Sequence, residues 1–277
     1  MNQPLVRVAC AQMLSRPLDV EANLQKASCL LGTLEQPVDL VVLPELFACG
    51  YTWDPALLDV CAQHRDAIVS WMEKQSTALQ AVVMGGMAQN RSGKWYNSMA
   101  IASEGRLRGF ADKCHLFRGE KALFTPGRVY TLFQAREWSV GVFLCYELGF
   151  PELFRLLARE GAMGFAGGFA FGKSRGPLYD VLTRARSMEN GAFFASACQP
   201  GELPSTEHSP AFSFHGHSRI LTHRGEILAD ALEKEGMIVA EVRLAGIGEY
   251  RMQEQGEYPG YFSNFREDIH SVEYLKG

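Results

Sequence analysis

The sequence predicts a mixed α/β domain, built either as one large mixed sheet or as two sheets stacked face to face with helices outside. Three observations predict it. Apolar runs of strand length, such as VDLVVL at 38–43 and SVGVFL at 139–144, are continuous rather than alternating, which implies burial on both faces. Helical segments follow several of these runs, giving βα units. Hairpins then interrupt the succession, which a uniform doubly wound sheet lacks.

Residues 5–13 are rich in β-branched and small apolar residues and read as a buried strand, after which Asp19 caps an amphipathic segment reaching residue 34. The run at 38–43 is a second strand, stopped by Pro44 and followed at once by Glu45. A helix over 64–79 leads to a strand over 81–88, and strands over 98–103 and 107–111 pair through a turn near Gly105. Beyond the turn at Thr125-Pro126-Gly127 lie strands over 129–134 and 139–144, and Pro151 opens a helix that reaches residue 160. A strand at 163–166, a helix over 177–190, a strand over 192–197 and four short strands between 210 and 243 complete the pattern. No internal repeat shows in the sequence. From 246 onward the chain becomes aromatic, charged and turn-rich, so residues 1–245 read as one domain and 246–277 as a tail suited to packing on a partner subunit.

The 277 residues are 47% hydrophobic and 21% charged, enough apolar matter for a sizeable core. Lys and Arg total 27 against 31 Asp and Glu, so no broad basic field is available for phosphates or anionic lipid. Nucleic-acid and membrane partners are not expected. Seven scattered cysteines without a C-x-x-C pair suggest neither a disulfide framework nor a zinc ribbon, and fit a reducing, cytoplasmic setting. No secretory signal pattern and no run of eighteen apolar residues is present. His215 and His217 share a strand face, but no third ligand is spaced to join them, so no metal is expected. No phosphate loop is present either, because Gly85-Gly86 lies inside a strand without a nucleotide-binding signature.

Three reactive residues share one placement: Glu45 after VDLVVLP, Lys113 after RLRGFAD and Cys145 after SVGVFL. Sites collect where carboxyl ends of strands open into a crevice, so three strands can deliver these side chains to one place. A cysteine becomes a strong nucleophile as its thiolate, which a neighbouring cation and a helix N-terminus favour; Lys113 and the helix opening at Pro151 could supply these. Glu45 could take the thiol proton, return it to a leaving amine and later activate water. Lys113, with the backbone N–H of Tyr146, would stabilise the oxyanion. Taken singly, each of the three residues reads more simply as a core thiol, a loop acid or a surface lysine; their joint placement is what carries the reading.

These residues resemble the nitrilase-like carbon–nitrogen hydrolases, which carry a Glu-Lys-Cys triad. The matching segments are VVLPELFACGY, DKCHLFRGEKALFTPG and GVFLCYELGFPELFR, in the family's order and spacing, supported by Tyr96-Asn97-Ser98, Arg184-Ala185-Arg186 with Glu189-Asn190, and Gly216-His217-Ser218-Arg219-Ile220 before Gly225. The resemblance spans residues 4–243. It implies a four-layer α-β-β-α sandwich of the nitrilase type, paired into a homodimer or higher oligomer through the helices beside the nucleophile. Glu120 matches a fourth acid that helps position the substrate and keeps Lys113 and the nucleophile in register. The chain departs from the family where many members read Pro-Ser-x-Phe; here it reads Ala166-Gly167-Gly168-Phe169-Ala170-Phe171.

The expected activity is cofactor-independent hydrolysis of a small non-peptide carboxamide through a thioester at Cys145, with release of ammonia. Nitrilase and N-carbamoyl amine hydrolysis remain as alternatives, and a catalytically silent scaffold of the same fold as a further one. The segment from Phe169 to Pro177 combines aromatic walls with Lys173 and Arg175, so an ω-amide whose carboxylate pairs with Arg175 is the expected substrate.

Overall fold

The computed structural model describes residues 5–135 and 137–266. In chain order the elements are β1 (Leu5–Gln12), α1 (Val20–Leu31), β2 (Leu40–Val42), α2 (Ala56–Leu79), β3 (Val82–Arg91), β4 (Lys94–Ser103), β5 (Arg106–Asp112) and α3 (Glu120–Leu123). Then follow β6 (Thr131–Gln134), β7 (Ser139–Leu144), α4 (Pro151–Arg159), β8 (Gly164–Phe169), α5 (Gly176–Asn190), β9 (Phe193–Cys198), β10 (Pro200–Leu203) and β11 (Phe212–His215). The last are β12 (Arg219–Leu221), β13 (Ile227–Asp230), β14 (Gly236–Arg243), α6 (Ile247–Met252) and a hairpin of β15 (Glu254–Gln255) with β16 (Tyr258–Pro259).

Two six-stranded mixed sheets form, in the orders β14-β1-β2-β3-β4-β5 and β13-β12-β9-β8-β7-β6. Between them lies an apolar layer that includes Val8, Cys10, Val42 and Met84 from one sheet and Val140, Leu144, Ala166 and Ala195 from the other. The opposite faces are covered by α1 and α2 on the first sheet and by α4 and α5 on the second. Four layers result, and both faces of each central strand are buried, as the continuous apolar runs required. The parallel pairs β1–β2–β3 and β7–β8–β9 are each flanked by antiparallel neighbours in the same arrangement. The succession β1-α1-β2-α2-β3-β4-β5 therefore recurs as β7-α4-β8-α5-β9-β12-β13.

Local chemistry sets the element ends. The Asp19 carboxylate accepts the Ala22 N–H at 3.1 Å, the cap expected at the start of α1 and worth about 1 kcal/mol. Helix α2 begins eight residues before the expected 64, because Leu57 and Cys61 extend the buried stripe that Ile68 and Met72 continue. Strand β10 was not foreseen. Cys49 and Cys61, expected to be separate core fillers, instead stand against each other with their Cα atoms 6.4 Å apart, within reach of a disulfide. Of the segment expected to be a tail, α6 buries Ile247 and Tyr250, and Arg251 donates to the carbonyls of Asn190 and Ala162. Residues 267–277 lie outside the described residues.

Candidate active site

Glu45 stands just beyond β2 on a turn squeezed between the sheets. A Cβ on Gly86 of β3 would lie 2.4 Å from the Leu46 nitrogen, and one on Gly168 of β8 would lie 2.6 Å from the Glu45 nitrogen. Only glycine fits at either place. The fully buried Glu45 carboxylate accepts from Lys113 Nζ (2.6 Å) and Asn97 Nδ2 (2.8 Å) through Oε1, and from the Ala170 N–H (3.2 Å) through Oε2. Its backbone carbonyl accepts from Gln199 Nε2 at 2.9 Å.

Lys113 follows β5 and is 1% exposed. Its ammonium donates to Glu120 as well, at 2.8 Å. Glu120, the first residue of α3, also accepts from the Tyr51 hydroxyl (2.8 Å) and the Phe117 N–H (3.0 Å). These donors hold Glu120 as a support for the lysine. Burial pulls the Lys113 ammonium toward neutrality, but Glu120 and Glu45 outweigh it and hold its pKa well above the ordinary lysine value. Burial pushes the Glu45 carboxyl up; Lys113 opposes the rise and Glu120 adds to it.

Cys145 ends β7 at the head of a 3₁₀ turn, Cys145–Gly149, with a left-handed φ of 36° and 5% exposure. Such strained backbone is a known device for presenting a nucleophile. Burial, and then the Glu45 charge, raise the thiol well above the ordinary cysteine value, against Lys113 and the N–H of Ala170. The same Ala170 N–H thus faces both Cys145 and Glu45. The thiol therefore rests protonated, and the Glu45 charge is close enough to add to that effect.

Around this cluster stands an aromatic rim. Tyr146 packs on Phe117 (5.1 Å between ring centres) and edge-on against Phe150 (5.4 Å), which stacks on His115 (3.8 Å). The guanidinium of the half-buried Arg175 lies over Phe117 (4.5 Å) and Phe171 (4.7 Å), and has no carboxylate partner among the described residues. Lys173 goes elsewhere, its ammonium 3.2 Å from Glu233. Phe169 turns its ring into the helix-side core between Phe143 and Tyr179; what reaches the site is the N–H of its neighbour Ala170. His215 and His217 stack on each other, and His217 Nδ1 meets Asp230 at 3.1 Å.

The structure thus gathers Glu45, Lys113, Glu120 and Cys145, with Tyr146 and Arg175 at the rim. Sequence reasoning did not single out Tyr51, Gln199 or the Ala170 N–H. Tyr51 and Asn97 lay within quoted motifs, whereas nothing local marks Gln199, which reaches Glu45 from 154 residues away.

Two stacked sheets with outer helices, and a carboxylate, an ammonium and a thiol gathered at their strand ends, define a class: hydrolases of carbon–nitrogen bonds other than peptide bonds. The chain belongs to the carbon-nitrogen hydrolase family, whose model matches residues 7–252. It is similar to omega-amidase NIT3 of Saccharomyces cerevisiae, 30% identical over 257 residues, covering 86% of this chain and 87% of the relative. It is also similar to a deaminated glutathione amidase of Synechocystis, 30% identical over 263 residues (88% and 94% covered). Omega-amidase YafV of Escherichia coli is 28% identical over 216 residues (77% and 80% covered). The crystal structure of Saccharomyces cerevisiae Nit3, described as a member of branch 10 of the nitrilase superfamily, superposes with a TM-score of 0.78 at 30% identity, covering 90% of this chain and 94% of that one. The nitrilase-type sandwich and the amidase expected from the sequence both hold.

Proposed function

We propose that the protein hydrolyses ω-amides that carry a free carboxylate, using Cys145 as nucleophile, Glu45 as general base and acid, and Lys113 as the oxyanion's cation. The observation that carries the reading is the Glu45–Lys113–Glu120 cluster closed beside Cys145, with Arg175 at its rim and no carboxylate paired to it among the described residues. The omega-amidases NIT3 and YafV among the relatives support the substrate class.

In the first half-reaction the Cys145 sulfur attacks the amide carbon while its proton passes to Glu45. The oxyanion is met by the Lys113 ammonium and by the Tyr146 N–H, one of the first donors of a 3₁₀ turn and so without a partner inside it. Collapse breaks the C–N bond as Glu45 returns the proton to nitrogen, releasing ammonia and leaving a thioester. Water then attacks the thioester with Glu45 taking its proton, and the carboxylic acid leaves as the thiol reforms. Glu120 accepts three hydrogen bonds throughout and keeps Lys113 aimed.

The reading extends to a homodimer and a cytoplasmic setting. Leu156 of α4 and Leu178, Val181 and Met188 of α5 are exposed on the outer helices, an apolar face suited to a second copy. Cys145 must stay reduced to act, which favours a reducing compartment. No described helix is long and apolar enough to cross a membrane.

Ammonia release tests the reading. An ω-amide bearing a carboxylate should exceed its neutral counterpart at least tenfold in kcat/KM, because a bidentate Arg–carboxylate pair is worth about 2 kcal/mol. Arg175→Ala should raise KM for the first substrate about tenfold and spare the second. Equal effects on both would remove Arg175 from the site, and turnover of nitriles or carbamoyl amines alone would replace the amidase reading.

A further inference from the structure

Glu147 is a buried carboxylate that the mechanism above does not use. It is 2% exposed, and its oxygens are spent on backbone of the segment after β5 and of the end of β7. Oε1 accepts the N–H of Cys114 at 2.8 Å and that of His115 at 3.4 Å; Oε2 accepts the N–H of Leu144 at 2.9 Å. His115 Nδ1 lies 3.6 Å from Oε1. Cys114 is the residue after Lys113, and Leu144 is the residue before Cys145.

Strands β5 and β7 carry Lys113 and Cys145 in separate sheets, so no strand ladder fixes one against the other. The Glu147 carboxylate bonds the two segments directly, within one residue of each reacting group. It also closes the 3₁₀ turn that holds Cys145 at its left-handed φ, because the bond to Leu144 runs back across that turn. No Lys or Arg side chain pairs with Glu147 among the described residues, so the backbone N–H groups of Cys114, His115 and Leu144 are what hold it.

We propose that Glu147 is a positioning residue, which sets the distance and aim between the Lys113 ammonium and the Cys145 sulfur by tying their two backbones to one carboxylate. It does not touch substrate. Its role is felt only when the oxyanion forms between the two groups it aligns, so its removal is expected to lower kcat and leave KM alone. This rests on the assignment of Lys113 and Cys145 given above. If that assignment fails, Cys145→Ala keeps its turnover; if only the present one fails, Cys145→Ala is inactive while the Glu147 variants keep their kcat.

The test uses the full chain. Glu147→Gln is isosteric but turns an NH₂ toward a backbone N–H on one side, and Glu147→Asp is too short to reach both segments. The folded fraction of each variant is measured by thermal and denaturant unfolding, so that kcat is expressed per folded chain. Both variants are expected to lose at least a hundredfold in kcat per folded chain, with KM for a carboxylate-bearing ω-amide within threefold. A merely structural glutamate would lower the folded fraction and leave kcat per folded chain within threefold of wild type, and that result would overturn the proposal. So would a loss expressed in KM alone. Where neither variant folds, amide hydrogen exchange of the unaltered protein decides: the Cys114 and Leu144 amides, sharing one acceptor group, should open together with equal protection. Protection differing by more than tenfold would show that the carboxylate does not join them.

Discussion

The two halves of the sandwich share a strand order and differ in what they hold at the strand ends. In the first half, the ends of β2 and β5 deliver Glu45 and Lys113, two charges buried and paired with each other. In the second half, the end of β7 delivers a thiol that rests neutral, and the end of β8 delivers only a backbone N–H, that of Ala170. The charged half is bonded mostly within itself, through Glu120, Tyr51 and Asn97, and the second half adds the Ala170 N–H to the Glu45 carboxylate and the Gln199 amide to its backbone carbonyl. The neutral half acquires charge only during turnover. Separating the two avoids holding a thiolate and two carboxylates together in a buried space, where like charges would drive one of them to take up a proton.

Variants on opposite sides of this divide should fail differently. Cys145→Ala is expected to lose activity by about four orders of magnitude or more, because the nucleophile has gone, while its thermal midpoint stays near wild type since little volume is removed. Ammonia release and thermal unfolding check both parts, and full turnover in a folded Cys145→Ala protein would end the mechanism. Lys113→Ala, in the charged half, should cost activity on the order of a thousandfold and also about 3–5 kcal/mol of stability at neutral pH, because Glu45 and Glu120 are left buried without their cation. The sign of its pH dependence follows. Glu45, whose carboxyl burial already pushes up, then binds its proton more tightly in the folded chain than in the unfolded one, so stability falls as pH rises through that range. Denaturant titrations should show the deficit shrinking toward acid pH; a deficit independent of pH would mean that the lysine is not what compensates those acids.

The smallest effect concerns Asn97, whose bond to Glu45 favours the ionised carboxylate. Burial already lifts Glu45, so the acid limb of kcat/KM should lie above the ordinary carboxylate range. Asn97→Ala should move it upward by about half to one pH unit, since a hydrogen bond to the charged form is lost. An unmoved limb would assign the limb to another group.

The reactive trio was legible because each member directly follows a strand whose apolar pattern is strong, as with SVGVFL before Cys145. The repeat between the halves was not, because it lives in strand order and direction, while the residues that follow β2 and β8, such as Glu45 and Ala170, share no chemistry. Phe169 and Lys173 were placed near the site by their position in the chain, but strand alternation turns the Phe169 ring to the helix face, and Glu233 holds Lys173. Tyr51, Gln199 and the Ala170 N–H act through tertiary contacts that no local pattern encodes. The start of α2 was missed although Pro55, Leu57 and Cys61 signalled it, since a single stripe residue per turn is a weak periodicity.

Gly86 and Gly168 grip the Glu45 turn so closely that no side chain can stand beside it. On the mechanism proposed above, a base whose backbone is gripped that way and whose carboxylate is bonded by Lys113, Asn97 and Ala170 serves both half-reactions from one position. The water that cleaves the thioester must therefore enter the place the leaving nitrogen vacates, along one fixed line to the carboxylate. On the same proposal, timing passes from the protein to the acyl group: one anchored away from that line, as Arg175 is proposed to anchor it, leaves the path open, whereas one free to fold over the thioester bars it. Fidelity in such an enzyme is a matter of which intermediates drain and which stall, decided after the first bond has already been broken.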